Sequence, residues 1–230
     1  MSNEQLRQGI LFFVVILISL SVHEFSHALA AFLLGDSTAK DRGRLSLNPI
    51  RHLDTLGTLF LAILAFQGVG LGWAKPVPVD VNRLRHSKFG MGIVSFAGPI
   101  SNLILAFISF QCLMVFRTFF YSYLAAAGVG SALLSDVLLI SIQVNIALFA
   151  FNLFPLYPLD GAKVLSALLP AEWSRHFDLF FLKFGSWPLV FLFLWEWILP
   201  FPGPLAFILG PFNDFMLYFL EKSVFWISLT

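Results

Sequence analysis

Two histidines and a glutamate in the first hydrophobic stretch have the spacing of a metal-dependent hydrolase. The run is His23-Glu24-Phe25-Ser26-His27. A helix places the two imidazoles, four residues apart, on one face about one turn apart, where both can bind one metal ion. The glutamate beside the first histidine can take a proton from a water molecule at that metal. The pattern therefore predicts a catalytic zinc site with His23 and His27 as ligands and Glu24 as the general base.

A zinc ion with two histidine ligands needs a third protein ligand and keeps one position open for catalysis. A turn-rich run at residues 152–161 offers Asp160. Pro155 and Pro158 must break or bend a helix there, and Gly161 permits the turn beyond. An aspartate at a helix end can also be a cap or a solvated group. Because this run ends a hydrophobic stretch that should pack near the first one, Asp160 is the candidate third ligand.

Three asparagines in hydrophobic stretches need polar partners. Asn145 and Asn152 are seven residues apart and share a helix face. Such amides can hold helices together in a membrane, which we favour for Asn145, or contact a substrate backbone, which we favour for Asn152. Asn102 follows Gly98 and Ser101, two small residues that permit close helix packing. We expect Asn102 either to pack inside the bundle or to shape a substrate-binding site.

The composition indicates whether water or lipid surrounds this chain. Of its 230 residues, 58% are hydrophobic and 12% are charged, whereas soluble domains are about 25% charged. Lipid must surround much of the chain, so buried backbone groups must be satisfied within helices. The net charge of +1 gives no reason to expect a nucleic-acid partner. The single cysteine, Cys112, excludes an intrachain disulfide and a cysteine-based zinc site.

The hydrophobic pattern predicts an all-α polytopic membrane protein, a bundle of five to six transmembrane helices in a single domain spanning 1–230. The catalytic core would cover about 8–170, and two C-terminal helices about 179–226. The first stretch is too long for a signal peptide and is interpreted as a retained span. The stretches long enough to cross about 30 Å of hydrocarbon are 9–34, 90–116, 133–155, 179–199 and 204–226. A sixth, glycine-rich stretch at 55–72 is interpreted as a re-entrant or interfacial segment.

The positive charges predict the orientation. Loops 35–52, 73–89 and 156–178 carry ten Lys and Arg residues, against two in the remaining connections and N-terminal segment. If 55–72 does not cross, all three basic loops lie on one side, which the positive-inside rule makes cytoplasmic. The N-terminus is then outside the cell membrane and the C-terminus inside. Short β-like pieces near 40–50 and 73–82 are expected to line the entrance and to offer an edge to an unwound substrate.

Together these motifs resemble the site-2 protease family of intramembrane zinc metalloproteases, in particular its compact bacterial branch without a PDZ domain. The resemblance rests on HEFSH at 23–27, GWAKPVPVD at 72–80, GPISN at 98–102 and NLFPLYPLDG at 152–161. It implies one zinc ion per chain, held by His23, His27 and Asp160, and hydrolysis of peptide bonds in or near transmembrane segments of substrate proteins. It also implies that Glu24 activates the water and that Asn152 engages the substrate backbone. The segment 55–72 has no counterpart in the family's minimal three-helix core.

Two other functions are compatible with the same residues. A zinc-binding membrane transporter or sensor would also place polar side chains inside a bundle, although transport does not need a general base beside the metal. An inactive homologue that only binds transmembrane segments would not need a complete ligand set. The sequence leaves the substrate's identity, the oligomeric state and the regulation open.

Overall fold

The computed structural model describes residues 2–66, 72–120, 131–198 and 203–223. Within these residues the chain is helical, as the sequence predicts, and contains no β-strand. The helices are α1 (Asn3–Leu33), α2 (Thr38–Asp41), α3 (Thr55–Ala65), α4 (Ser87–Val115), α5 (Ser131–Asn152), α6 (Asp160–Leu168), α7 (Ala171–Phe184), α8 (Trp187–Ile198) and α9 (Pro204–Ser223). Short 3-10 turns at Pro49–Arg51 and Val81–Arg83 and a π-helical turn at Phe116–Phe120 complete the described elements.

Three of these helices are long and apolar enough to cross a membrane: α1, α4 with its π-helical extension, and α5. At 1.5 Å per residue, even α5 is about 33 Å long and matches a hydrocarbon core of about 30 Å. They correspond to the predicted stretches 9–34, 90–116 and 133–155. The chain is therefore a membrane protein.

Helix α1 carries its polar residues on the inside of the bundle. A capping box between Ser2 and Gln5 starts the helix, satisfying backbone donors that the first turn leaves free. Ser19, His23 and His27 are buried, one turn apart along one face. Large apolar side chains such as Ile10, Val14 and Ile18 are exposed instead. This inside-polar arrangement suits lipid as the solvent, and it brings the two histidines toward the neighbouring helices.

Helix α4 occupies the middle of the bundle and packs against α1, α5 and α6. One buried cluster joins Ala106, Phe110 and Leu113 of α4 to Ile142 and Ile146 of α5. Another cluster joins α1 and α5 and includes a leucine of α3. Every helix that supplies a candidate site residue therefore contacts α4.

The residues on either side of the stretch 55–72 lie next to each other. Helix α3 has 11 residues, so it is about 16 Å long and too short to cross the hydrocarbon core. Leu53 and Ala74 form an isolated antiparallel bridge, and the Lys75 amide donates to the His52 carbonyl at 2.8 Å. A Cβ on Gly57 would lie 2.2 Å from the Trp73 carbonyl oxygen, so a glycine is required where the returning chain passes α3. Residues 67–71 lie outside the described part of the chain.

The β-like pieces are largely absent. Between residues 40 and 50 the chain ends α2, turns at Gly43 with φ of 66° and begins a 3-10 turn, so the expectation there is wrong. Glycine tolerates this left-handed conformation, which ends the helix before a strand can start. The piece near 73–82 contributes one residue, Ala74, to the isolated bridge.

The predicted span 179–199 is also wrong as a single helix. Helix α7 ends at Phe184, and Gly185 has φ of 56°, a conformation that favours glycine and interrupts the helix. Helix α8, with Pro188 in its first turn as proline allows, has 12 residues. Helix α9 has 20 residues but carries Asn213 and Asp214 near its middle. The number of membrane-crossing helices beyond three stays a prediction.

Candidate metal centre

Three side chains from two separate parts of the chain converge at one point inside the bundle. The Nε2 atoms of His23 and His27 are 3.0 Å apart, and each lies 3.1 Å from Oδ2 of Asp160. All three residues are buried. They form a group that could hold a metal ion, with one ligand atom from each residue. The structure therefore brings together the three ligands predicted from the sequence.

The hydrogen bonds behind the two imidazoles leave their Nε2 atoms as acceptors. Nδ1 of His27 lies 2.7 Å from the carbonyl oxygen of Val94, which can only accept, so this nitrogen carries the proton. Nδ1 of His23 lies 2.6 Å from Oδ1 of Asn102 and donates in the same way. Each neutral imidazole then presents an unprotonated Nε2 to the carboxylate. Three lone pairs facing each other repel unless a cation lies between them.

The donor set fits zinc. Two imidazole nitrogens and one carboxylate oxygen are ligands that zinc prefers, and three protein ligands leave the open position of a catalytic site. Ligand atoms at about 2.0–2.2 Å from a tetrahedral zinc ion are about 3.3 Å apart. The observed separations of 3.0–3.1 Å need to open by only a few tenths of an ångström.

Gly98 leaves room beside the ligand atoms. A Cβ at this position of α4 would lie 2.4 Å from Nε2 of His27 and 2.7 Å from Cε1 of His23, well inside van der Waals contact. The absence of a side chain therefore lets α4 approach the imidazoles closely. The sequence indicates only helix packing for this glycine; its contact with the two rings is visible only in the structure.

Asp160 is placed by the irregular run that precedes α6. After α5 ends at Asn152, residues 153–159 turn without forming a helix, and Asp160 is the first residue of α6. Gly161 is pressed against that run, since a Cβ there would lie 2.2 Å from the Leu153 carbonyl oxygen. The carboxylate accordingly faces His23 and His27 of α1, and the N-cap position of α6 is taken by Leu159.

Glu24 lies next to the metal ligands but is not one of them. It is 9% exposed, and it takes part in no side-chain hydrogen bond within the described residues. Its carboxylate is therefore free to take a proton. Arg44, from the loop after α2, is close enough for the two charges to interact. Burial lowers the pKa of Arg44, and the Glu24 carboxylate opposes that shift.

Arg44 lies at the site although the sequence does not indicate it. Its residue type and position mark it only as one of the basic loop residues, yet it is 7% exposed. Its Nη2 donates to the Lys75 carbonyl, so it joins the two loops on either side of α3. A buried arginine cannot be distinguished from its exposed neighbours by residue type alone.

The three asparagines have different surroundings. Asn102 and Asn145 are fully buried and bonded to each other, and Asn145 also bonds to Ser19 and Ser141. This fits the expectation that Asn145 holds helices together. Asn102 contacts the back of His23, which gives it a positioning role. Asn152 is half-buried and donates to the Leu148 carbonyl at 2.9 Å. Substrate binding by Asn102 or Asn152 stays a prediction.

Known proteins align with up to 69% of this chain. A protein of Bacillus subtilis (strain 168) named "Putative zinc metalloprotease YwhC" is 43% identical over 157 residues, which are 68% of this chain and 68% of that protein. "Putative zinc metalloprotease Rip2" of Mycolicibacterium smegmatis is 33% identical over 162 residues, covering 69% of this chain but 57% of Rip2. A third relative, "Putative zinc metalloprotease MJ0611" of Methanocaldococcus jannaschii, is 31% identical over 74 residues, 32% of each chain. No protein-family model and no solved structure matches the chain.

The group of His23, His27 and Asp160, which could hold a metal ion, lies among long apolar helices and fits the zinc metalloproteases that these relatives are named as. The chain belongs to the site-2 protease-like family that includes YwhC and Rip2.

Proposed function

We propose that this protein is an intramembrane zinc metalloendopeptidase, which hydrolyses peptide bonds in or near transmembrane segments of other proteins. The observation that carries the proposal is the position of the metal centre. Two ligands lie on α1, 10 residues or fewer before that membrane helix ends at Leu33, and all three are buried among apolar helices. A site at this depth suits a substrate that is itself embedded in lipid.

Each residue of the site has a distinct role in this reaction. His23, His27 and Asp160 hold one zinc ion per chain. When bound, zinc polarises the scissile carbonyl and lowers the pKa of a water molecule toward neutrality. Glu24 takes the proton from the attacking water and later gives it to the leaving amine. Because its carboxylate accepts no internal hydrogen bond, no bond has to break before that transfer.

The substrate backbone requires its own partners, because a helical segment must unwind before its peptide bond is accessible. Asn152 donates its amide hydrogen to its own helix, which leaves its Oδ1 available for a substrate N–H. The run Pro76-Val77-Pro78-Val79 offers a second contact. Prolines and valines alternate in this run. In an extended strand the prolines, which have no N–H, therefore face one edge, and the two valine amides face the other. That edge suits the addition of an unwound substrate as a β-strand.

The orientation in the membrane follows from the loop charges and from the return of the chain after α3. Since residues 52–54 and 73–75 lie side by side, we propose that 55–72 is re-entrant. The basic loops 35–52, 73–89 and 156–178 then face the cytoplasm, and the protein crosses the cell membrane several times. Its partners are the lipid bilayer and a membrane-embedded protein substrate, without nucleic acid.

The test is a comparison of wild type with Glu24→Gln, purified and reconstituted in lipid vesicles with a membrane-embedded peptide. Both proteins should contain one zinc ion per chain, because Glu24 is not a ligand. Only wild type should cleave, since glutamine cannot accept the proton. Equal cleavage by both would refute the assignment of the base. Zinc without cleavage in wild type would favour the transporter or sensor instead.

A further inference from the structure

A buried chain of hydrogen bonds runs from the zinc ligand His23 across the bundle to the backbone of α5. Nδ1 of His23 lies 2.6 Å from Oδ1 of Asn102, and Nδ2 of Asn102 donates to Oδ1 of Asn145 at 2.9 Å. Nδ2 of Asn145 donates to the Ser141 carbonyl at 2.8 Å and to Oγ of Ser19 at 2.9 Å. His23, Asn102, Asn145 and Ser19 are each at most 4% exposed. Water therefore does not compete for these bonds.

The carbonyl of Ser141 fixes the donor-to-acceptor direction of this series of hydrogen bonds. A carbonyl oxygen only accepts, so Asn145 must turn its NH₂ group toward it and its Oδ1 toward Asn102. Asn102 must then turn its own NH₂ group toward Asn145, where a longer contact of 3.5 Å to the Ser19 carbonyl favours the same orientation. The remaining oxygen of Asn102 faces His23. That imidazole must carry its proton on Nδ1, which leaves the Nε2 lone pair for the metal.

The reversed arrangement is unfavourable at two points. If the amide of Asn102 were flipped, its oxygen would face the oxygen of Asn145 at 2.9 Å, and two buried acceptors would repel. Its NH₂ group would face Nδ1 of His23, which would then have to accept and move its proton to Nε2. In that tautomer the imidazole could not bind zinc without losing this hydrogen bond.

We propose that Asn145 is a positioning residue of the zinc centre. It transmits the direction of the Ser141 carbonyl through Asn102 and so fixes the metal-binding tautomer of His23. Asn145 touches neither the metal ligands nor, by this account, the substrate. The proposal rests on the zinc centre described above and adds to it a residue that the sequence suggests only as a link between helices.

The contribution to zinc affinity is expected to resemble that of other groups that orient metal ligands. Loss of such a partner typically weakens metal binding by about 10- to 100-fold. Asn145→Leu keeps a similar volume but leaves the amide of Asn102 without its acceptor and free to flip. Ser109→Ala is the matched control. The Ser109 hydroxyl bonds to the Ser141 hydroxyl at 2.8 Å, which meets Asn145 only at a longer 3.3 Å, so the shorter bonds that orient Asn145 remain.

A third variant tests the direction itself. In Asn102→Asp combined with Asn145→Leu, the introduced carboxylate has only acceptor oxygens when ionised and holds the His23 proton on Nδ1 without help from position 145. We expect this double variant to bind zinc about tenfold more tightly than Asn145→Leu, within the range for ligand-orienting groups. The comparison is made with Asn102→Asp alone, which carries the same added charge. If Asn145 merely joined helices, Asn145→Leu would weaken zinc binding by the same factor in the Asn102→Asp background, whereas a positioning role predicts little further loss there.

The experiment measures zinc affinity by competition with a chromogenic chelator, using the purified full chain in detergent. The proposal predicts weaker binding in Asn145→Leu, affinity within about twofold of wild type in Ser109→Ala, and recovery in the double variant. If Asn145→Leu does not fold, Asn145→Ser replaces it, because its hydroxyl can bond back to the Ser141 carbonyl but is too short to reach Asn102.

Unchanged affinity on removal of the Asn145 amide would overturn the proposal, as would equal losses in Asn145→Leu and Ser109→Ala. No recovery in the double variant would also overturn it, because the tautomer would then not be what Asn145 controls. A wild-type chain that binds no zinc would refute the metal centre itself, which is a distinguishable result.

Discussion

Gly98→Ala should damage the metal centre without removing any ligand. The added Cβ would lie 2.4 Å from Nε2 and 2.5 Å from Cε1 of His27, and 2.7 Å from Cε1 of His23. Ordinary van der Waals contact begins at 3.4 Å, so either α4 or the imidazoles must move by about 1 Å. Metal–ligand distances tolerate about 0.2 Å. If the imidazoles move, a ligand atom shifts by several times what zinc coordination accepts; if α4 moves instead, the strain falls on the packing of that helix.

The expected loss follows from the cost of overpacking. An added methyl group in a packed interior costs about 1–3 kcal/mol, and 1.4 kcal/mol corresponds to a factor of ten in affinity. Since zinc holds the imidazoles against the new methyl group, most of this strain should appear in the metal complex. We expect zinc affinity to fall by about 5- to 140-fold.

Chelator competition on the purified protein measures this loss. Gly210→Ala in α9 is the control, because no neighbouring atom of the described residues lies within 4 Å of a Cβ at that position, and its zinc affinity should not change. Wild-type zinc affinity in Gly98→Ala would show that the imidazoles do not lie against α4 as described. An equal loss in both variants would show a general effect of alanine on the bundle and would also refute the reasoning.

Three further predictions concern the proposed third ligand, a loop carboxylate and the orientation in the membrane. Asp160→Ala should reduce the zinc content measured by mass spectrometry from one per chain to nearly none, whereas Asp178→Ala, which removes a carboxylate bonded to Ser166, should retain zinc. Although burial opposes it, hydrogen bonds from Thr38 and from the Asp80 amide lower the pKa of Asp36. Asp36 therefore stabilises the folded protein above its ordinary pKa of about 3.9, and this stabilisation is lost as the pH falls through its lower folded pKa. Asp36→Asn should lower the free energy of unfolding by about 1–3 kcal/mol at pH 7 and weaken the acid dependence of thermal unfolding. Single cysteines at positions 40 and 85 of a Cys112→Ser chain should both react only with reagent on the cytoplasmic side, and labelling of either one from outside would contradict the proposed re-entrant segment.

The metal centre could be predicted because its ligands are constrained by local geometry. Helical spacing alone places His23 and His27 on one face, and the broken helix before Asp160 marks a residue that does not continue the membrane span. The same reasoning could not find the role of Arg44 or the contact of Gly98 with the imidazoles. Both depend on how distant segments meet, and the residue types are common in loops and helix interfaces.

The fold could be predicted from the sequence where the hydrophobic runs are continuous. The prediction was wrong where the backbone conformation of a glycine determines the structure. Helices α1, α4 and α5 follow from long apolar runs with few charges. The stretch 179–199 is equally apolar over much of its length, but Gly185 adopts a positive φ and ends α7. A hydropathy pattern does not record that conformation. Gly43 likewise has a positive φ, and no strand follows α2 there.

We propose that proteolysis occurs within the membrane at the zinc centre. To test this, the zinc-loaded protein is incubated with a transmembrane peptide in vesicles, and the new peptide termini are determined by mass spectrometry, with and without a zinc chelator. We expect termini inside or at the edge of the lipid-embedded segment, and no products once zinc is removed. Cleavage confined to soluble flanking sequences, or cleavage that persists without zinc, would contradict it.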